Sequence, residues 1–251
     1  MNITVKGLVI QEYDLKEKDK IVKIFTDTKG IISAIVRRGK NLKSRNSSIV
    51  QLFAYYKFNL YVGKNIYIVE EAEILELFWT IRQNLDNLAL SQYFCQLCTA
   101  FHPSEERSSE LLRLLLNTLY LLSKNKKSPA ILKAIFELRG CSLCGYMPDL
   151  TGCDRCKKYE NEEMIFFIEH GIMVCPECLK SYEKQNGQVV SISILKALRH
   201  TIYSEIDKLF SFDMSENTEK IFCDICEKYI LSHIGSGFKA LDFYKSIQKF
   251  I

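Results

Sequence analysis

The pattern of apolar and polar positions changes once along the chain, near residue 78. Before that point, short runs rich in β-branched and aromatic residues alternate with turn residues, which is typical of strands. The predicted strands cover residues 4–13, 20–26, 31–37, 50–62 and 66–74. Five strands without a long helix favour a small closed barrel. Either an OB-fold or an SH3-like barrel fits, because periodicity does not distinguish them.

From about residue 80 the apolar spacing becomes helical. Apolar side chains recur on one helix face from Leu90 to Phe101. Serines followed by helix-compatible sequence predict further helix starts. These predicted N-caps are Ser104, Ser128, Ser193 and Ser215. We therefore predict an α+β protein with a barrel at 1–78 and a helical domain at 79–251, which carries a cysteine-rich insertion at about 150–185.

Composition places the chain among ordinary globular proteins. Its 251 residues are 47% hydrophobic and 25% charged, which excludes disorder as the main state. No apolar run approaches the roughly 18 residues that a membrane span needs, and the N-terminus lacks a signal-peptide core. We expect a cytoplasmic protein that does not contact membranes. In a reducing compartment, CxxC pairs indicate metal binding or redox chemistry rather than disulfides.

Ten cysteines form five CxxC pairs, and spacing separates one group of four from the rest. Cys153 and Cys156 are followed after 18 residues by Cys175 and Cys178. This C-x2-C-x18-C-x2-C spacing is typical of a zinc ribbon. Four thiolates complete a tetrahedral shell, so we predict one structural Zn²⁺ with no open position for catalysis. The pairs Cys95/Cys98 and Cys223/Cys226 are interpreted as helix core. Cys141 and Cys144 could either replace one pair of the ribbon or belong to the helix core, which we favour.

Charge is distributed unevenly. Residues 1–69 hold 13 Lys and Arg against 5 Asp and Glu, whereas the whole chain has a net charge of only +4. The densest basic run, residues 37–45, contains five cations and no acid. Such a run is either a solvated loop or a contact for a phosphate backbone, and the barrel setting favours nucleic acid. Phosphate-binding, dinucleotide, zinc-protease and serine-hydrolase motifs are missing, so we expect no enzyme activity.

Several segments in order along the chain resemble the RecO family of bacterial recombination mediators. At the N-terminus these are GLVI at 7–10, EKDKIV at 17–22, and the basic Arg38-Gly39 with residues 43–45. GYMPDL at 145–150 precedes the first zinc pair, and GIMV at 171–174 precedes the second. YILSHIG at 229–235 and FKAL at 238–241 resemble the family's closing segment, with Ala240 where serine is common.

The resemblance implies an OB-fold followed by a helical domain with a zinc ribbon, and a non-enzymatic role. It implies binding of single- and double-stranded DNA and annealing of complementary strands. It further implies that the protein, together with RecR, loads RecA recombinase onto strands coated by single-strand-binding protein (SSB). A nucleoid-associated place in a bacterial cytoplasm follows from this role.

Candidate contact residues come from two sources: the phosphate and base contacts from the charge and aromatic pattern of the barrel segment, and the SSB-tail contact from the resemblance. The phosphate contacts expected first are Arg37, Arg38, Lys40, Lys43 and Arg45, with Lys6, Lys20, Lys23, Lys57 and Lys64 as weaker candidates. Tyr55, Tyr56 and Tyr61 are candidates for base stacking, although core packing is the simpler interpretation for each. Lys133 and Arg139 are candidates for contact with the acidic, apolar SSB tail, or else form a solvated helix face.

Two other functional classes are compatible with the sequence. A zinc-ribbon transcription or translation factor would bind nucleic acid without annealing strands. A thiol oxidoreductase would use one of the spare CxxC pairs and would require a reactive thiolate of low pKa.

Overall fold

The computed structural model describes residues 1–15, 19–37, 50–64, 66–180 and 187–248. These residues pack into two compact units: the described residues of 1–126 with those of 238–248, and the described residues of 127–237. The predicted boundary at residue 78 separates strands from helices, but packing divides the chain elsewhere. The first two long helices and the C-terminal helix pack in the same unit as the barrel.

The first unit begins with a closed five-stranded barrel. Its strands are β1 (Asn2–Asp14), β2 (Asp19–Thr26), β3 (Ile31–Arg37), β4 (Ala54–Val62) and β5 (Tyr67–Leu77). They are ordered β1-β2-β3-β5-β4, and β4 closes the barrel against β1. Only β3 and β5 run parallel among these neighbours. This arrangement confirms the OB-fold prediction and excludes the SH3-like alternative.

Alternation of side chains builds the barrel interior. In β4, Ala54, Tyr56, Phe58 and Leu60 are buried, while the residues between them are less buried or exposed. Burying a side chain the size of Phe58 or Leu60 stabilises the fold by about 1.5–3 kcal/mol. The outer face of the same strands is therefore left for polar and charged residues, including Lys57.

Helices complete the first unit. They are α1 (Leu85–Phe101), α2 (Glu105–Ser123) and α6 (Lys239–Gln248). The apolar stripe predicted from Leu90 to Phe101 is buried, and Ser104 caps α2 by accepting a hydrogen bond from the backbone N–H of Arg107. Tyr93 of α1 meets Phe238, just before α6, edge to face at 5.6 Å. The sequence pattern did not indicate that this last helix joins the barrel's unit.

The second unit combines three helices with a small four-stranded sheet. The helices are α3 (Pro129–Leu143), α4 (Ile192–Tyr203) and α5 (Glu216–His233). The strands are β6 (Asp149–Cys153), β7 (Glu163–Phe167), β8 (Ile172–Val174) and β9 (Gln188–Ser191). Ser215 caps α5 as predicted, but the predicted cap Ser193 is wrong. Ser191 caps α4 instead, two residues earlier.

None of the helices in the described part of the chain combines the length and apolar character needed to cross a bilayer.

Candidate metal centre and nucleic-acid interface

The first cysteine pair lies on a tight turn at the end of β6. The backbone N–H of Cys153 donates to the carbonyl of Lys158, and the N–H of Lys157 donates to the carbonyl of Cys153, both at 2.8 Å. A Cβ atom on Gly152 would lie 2.8 Å from the Lys158 carbonyl oxygen. Glycine is therefore required for the chain to fold back closely enough to place both sulfurs on one side.

The second pair follows β8 directly. A short 3₁₀ turn, Pro176–Cys178, brings Cys178 round to the same side as Cys175. The backbone N–H of Cys175 donates to the Sγ atom of Cys153 at 3.3 Å, so the two turns meet through a sulfur atom. Strand β8 pairs with both β6 and β7, which fixes the second turn against the first.

All four predicted ligands come together. The Sγ atoms of Cys153, Cys156, Cys175 and Cys178 lie within 4.8 Å of one another. The Sγ atoms of Cys156 and Cys175 are 3.6 Å apart. A tetrahedral Zn²⁺ with Zn–S bonds of about 2.3 Å requires sulfur separations of about 3.8 Å. The donor set and spacing therefore fit a four-coordinate thiolate site, and this group can hold a metal ion.

The surroundings of Cys153 favour its thiolate form. Burial opposes ionisation, but backbone N–H groups of Cys156, Cys175 and Arg155 outweigh burial and lower the pKa of Cys153 to about 6. Hydrogen bonds to sulfur stabilise the charged form that a metal requires.

The interpretation of the other six cysteines as helix core fits four of them. Cys95, Cys98, Cys141 and Cys226 are buried, and Cys144 and Cys223 are partly exposed. Burial raises the pKa of Cys95 and Cys141, and raises that of Cys223 to about 12. These thiols are held in the protonated form, which is a poor nucleophile.

The predicted basic run begins inside the described residues and continues beyond them. Arg37 is exposed at the end of β3. Arg38, Lys40, Lys43 and Arg45 lie outside the described residues. Their assignment to phosphate contact stays a prediction.

Among the lysines that are weaker candidates for phosphate contact, three are exposed on the first unit and a fourth is partly exposed. Lys6 and Lys57 lie directly opposite each other in the β1–β4 register, on the outer face of the barrel. Lys64 is also exposed, and Lys23 is partly buried. Like charges directly opposite each other on a sheet are mutually unfavourable, and a bound anion would relieve that repulsion. Glu73 faces Lys57 from β5 and offsets part of the charge.

Lys20 has a different environment from the other candidates. Only 5% of its surface is exposed, and its Nζ atom lies 2.9 Å from a carboxylate oxygen of Glu12. The same ammonium donates to the carbonyl of Val50. Lys20 therefore joins strand β2 to Glu12 of β1 and to the backbone at Val50, and we remove it from the expected phosphate contacts.

This placement predicts that Lys20→Met affects stability rather than DNA binding. We expect the free energy of unfolding to fall by about 1–3 kcal/mol, because the Val50 carbonyl loses its donor. Urea unfolding and a DNA titration measure the two effects. The exposed Lys57→Met is the matched control, expected to change stability by less than about 0.5 kcal/mol and to weaken DNA binding. A larger loss of DNA affinity in the Lys20 variant would contradict the assignment.

The three tyrosines that are candidates for base stacking differ in how far they are buried. Tyr56 is buried, and its hydroxyl accepts a hydrogen bond from the backbone N–H of Gln51 at 3.1 Å. Tyr55 is partly buried, whereas Tyr61 is 43% exposed. Of the three, Tyr61 is therefore the most accessible to a base.

Both candidates for contact with the SSB tail have partners within the second unit. Lys133 is 6% exposed and lies between Glu137 at 2.9 Å and Glu227 at 2.8 Å. Burial opposes its charge, but the two carboxylates outweigh burial and raise the pKa of Lys133. Arg139 donates to the backbone carbonyl of Ile202. Lys133 is therefore not open to a tail. The four-residue spacing of Lys133 and Glu137 was the signal that could have revealed this ion pair.

Arg199 was not identified from the sequence. It is buried on α4, and its guanidinium contacts the backbone on both sides of the first cysteine pair. Its position within an apolar helix stripe gave no indication of this role.

Two family models match the chain in succession. The model for the N-terminal part of recombination protein O matches residues 1–78, and the C-terminal model matches residues 82–242. The chain belongs to the RecO family. Its members are DNA repair and recombination proteins, and the barrel and the cysteine quartet fit the OB-fold and metal site expected from the resemblance.

Individual relatives align over nearly the whole chain. The DNA repair protein RecO of Acetivibrio thermocellus is 31% identical, with 98% of each chain covered. The DNA repair protein RecO of Caldicellulosiruptor saccharolyticus is 29% identical, covering 98% of this chain and 99% of the relative. The protein of the same name from Symbiobacterium thermophilum is 26% identical over 97% of both chains. These RecO relatives therefore share both units with this chain.

Proposed function

We propose that this protein is a non-enzymatic recombination mediator. It binds single- and double-stranded DNA, anneals complementary strands and, with RecR, loads RecA onto SSB-coated single strands. It works at the nucleoid in a bacterial cytoplasm, and its cysteine quartet holds one structural Zn²⁺. The observation that carries this proposal is the succession of N- and C-terminal RecO family matches over nearly the full chain.

The charge of the barrel supports DNA binding. Lys6, Lys57 and Lys64 are exposed on the barrel, and Arg37 is exposed where the basic run begins. Annealing breaks and forms no covalent bond. It requires two phosphate backbones to approach, and cations that displace condensed counterions lower the cost of that approach.

The chemistry of the cysteines supports a binding role over catalysis. Four thiolates fill a tetrahedral shell and leave no position for a substrate or an activated water. The spare cysteines with raised pKa values disfavour the thiol oxidoreductase alternative, because that class requires a reactive thiolate. The zinc supplies structural stability when bound, and the protein's own basic residues contact the DNA.

The proposed partners are RecR, the SSB tail and, indirectly, RecA. Because Lys133 is buried between two carboxylates and Arg139 donates to the Ile202 carbonyl, we assign the tail contact to neither residue. The proposal keeps the helical domain, 79–251, as the place where the tail binds.

Loading of RecA tests the mediator role. We expect the protein with RecR to shorten the lag before RecA hydrolyses ATP on SSB-coated circular single strands. Omitting RecR, or using SSB without its tail, should restore the lag. An unchanged lag with DNA binding intact would favour the alternative of a zinc-ribbon factor that binds nucleic acid without mediating recombination.

A further inference from the structure

Arg199 is a buried cation whose polar contacts converge on one short stretch of backbone. It extends from α4 and is 8% exposed. Its Nε atom donates to the carbonyl of Leu150 at 2.7 Å. One Nη atom donates to the carbonyls of Thr151 and Tyr159. A buried charge is tolerated only when it is paired and hydrogen-bonded, and here the partners are mostly main-chain oxygens.

Side-chain contacts complete the environment of the guanidinium. Its Cζ atom lies 3.9 Å from the centre of the Tyr159 ring, and the other Nη atom is 3.5 Å from a carboxylate oxygen of Glu160. The planar guanidinium group suits this combination of stacking and several hydrogen bonds, which a lysine ammonium does not reproduce.

The contacts of Arg199 fall on both sides of the first cysteine turn. Leu150 and Thr151 come just before Cys153, and Tyr159 and Glu160 come just after Cys156. Arg199 therefore ties together the two segments that enter and leave the first cysteine turn, without contacting a sulfur atom. The second turn is held differently, by the pairing of β8 with its neighbours.

We infer that Arg199 is a positioning residue for the metal. By fixing the main chain on both sides of the first turn, it holds Cys153 and Cys156 ready for the ion and slows the ion's escape. The inference rests on Zn²⁺ binding by the quartet, but does not depend on DNA annealing or on RecA. Groups outside the ligand shell commonly change metal affinity by about 10–100-fold.

Arg199→Met tests this inference, because methionine retains an apolar stem beside Tyr159 and removes every donor. We expect Zn²⁺ to pass to a competing chelator roughly 10–100 times faster than from the unmodified protein. With Co²⁺ as the probe, we expect the thiolate charge-transfer bands to persist but to be lost faster on adding chelator. Arg199→Lys should give an intermediate rate, and serves as the test if the methionine variant fails to fold.

Arg139→Met is the matched control. This arginine also donates to a backbone carbonyl in the same unit, but the carbonyl belongs to Ile202 rather than to the flanks of the first cysteine turn. We expect its zinc release to match that of the unmodified protein. Equal acceleration in both variants would show general destabilisation and overturn the inference. Unchanged release from folded Arg199 variants would also overturn it, as would an unmodified protein that binds no Zn²⁺.

Discussion

Replacing Cys175 by serine should release the metal and unfold much of the second unit. Cys175 is buried, and its backbone N–H bonds the sulfur of Cys153. A hydroxyl is a far weaker zinc ligand than a thiolate, and three thiolates leave the tetrahedron incomplete. Structural zinc contributes about 10–16 kcal/mol to the folding of isolated finger peptides, so its loss exceeds the stability of most domains.

Metal analysis and thermal unfolding measure the two consequences. We expect one zinc per chain in the unmodified protein, close to none in Cys175→Ser, and an early unfolding transition in the variant. Cys223→Ser is the control, because its sulfur donates to the Ala130 carbonyl at 3.4 Å and a serine hydroxyl can do the same. Full zinc content in folded Cys175→Ser would contradict the assignment of the quartet.

Reversing the charge of the basic run should abolish most DNA binding while the fold and the zinc persist. The variant changes Arg37, Arg38, Lys40, Lys43 and Arg45 to glutamate. Each phosphate contact contributes about 0.9 to the slope of log affinity against log salt on duplex DNA, and about 0.7 on single strands. Loss of five contacts should therefore reduce the slope by about 4.5 on duplex and by about 3.5 on single strands.

A fluorescence titration of labelled DNA at several salt concentrations measures both the affinity and the slope. The control reverses five exposed lysines elsewhere, namely Lys124, Lys126, Lys208, Lys220 and Lys228, which gives the same change in net charge. The control should weaken binding much less than the variant. Equal weakening would mean that net charge rather than this run controls binding, and unmodified affinity in the variant would remove the run from the interface.

The barrel and the metal ligands could be predicted because local patterns determine them. Alternation in β4 and the turn at Gly30 follow from residues that are neighbours in sequence, and CxxC spacing constrains four sulfurs directly. The start of α4 was missed by two residues because Ser191 and Ser193 are both good caps. Which of the two serines caps α4 depends on where the preceding strand, β9, ends.

The environments of single lysines could not be predicted, because their partners are distant in sequence. Lys133 meets Glu227, which lies 94 residues further along. Lys20 meets the Val50 carbonyl 30 residues away. Residue type alone favours exposure for lysine, and tertiary packing overrides that tendency where a carboxylate or a carbonyl is available. The role of Arg199 could not be predicted for the same reason, because its partners are backbone oxygens that are distant in sequence.

The most direct test of the central proposal is the annealing of two complementary oligonucleotides coated with SSB, followed by fluorescence without added nucleotide or redox agent. The proposed mediator role predicts that the protein accelerates annealing and that the acceleration weakens steeply as salt rises. If the folded, zinc-loaded protein gives no acceleration at low salt, that result would contradict the mediator role and favour a zinc-ribbon binding factor.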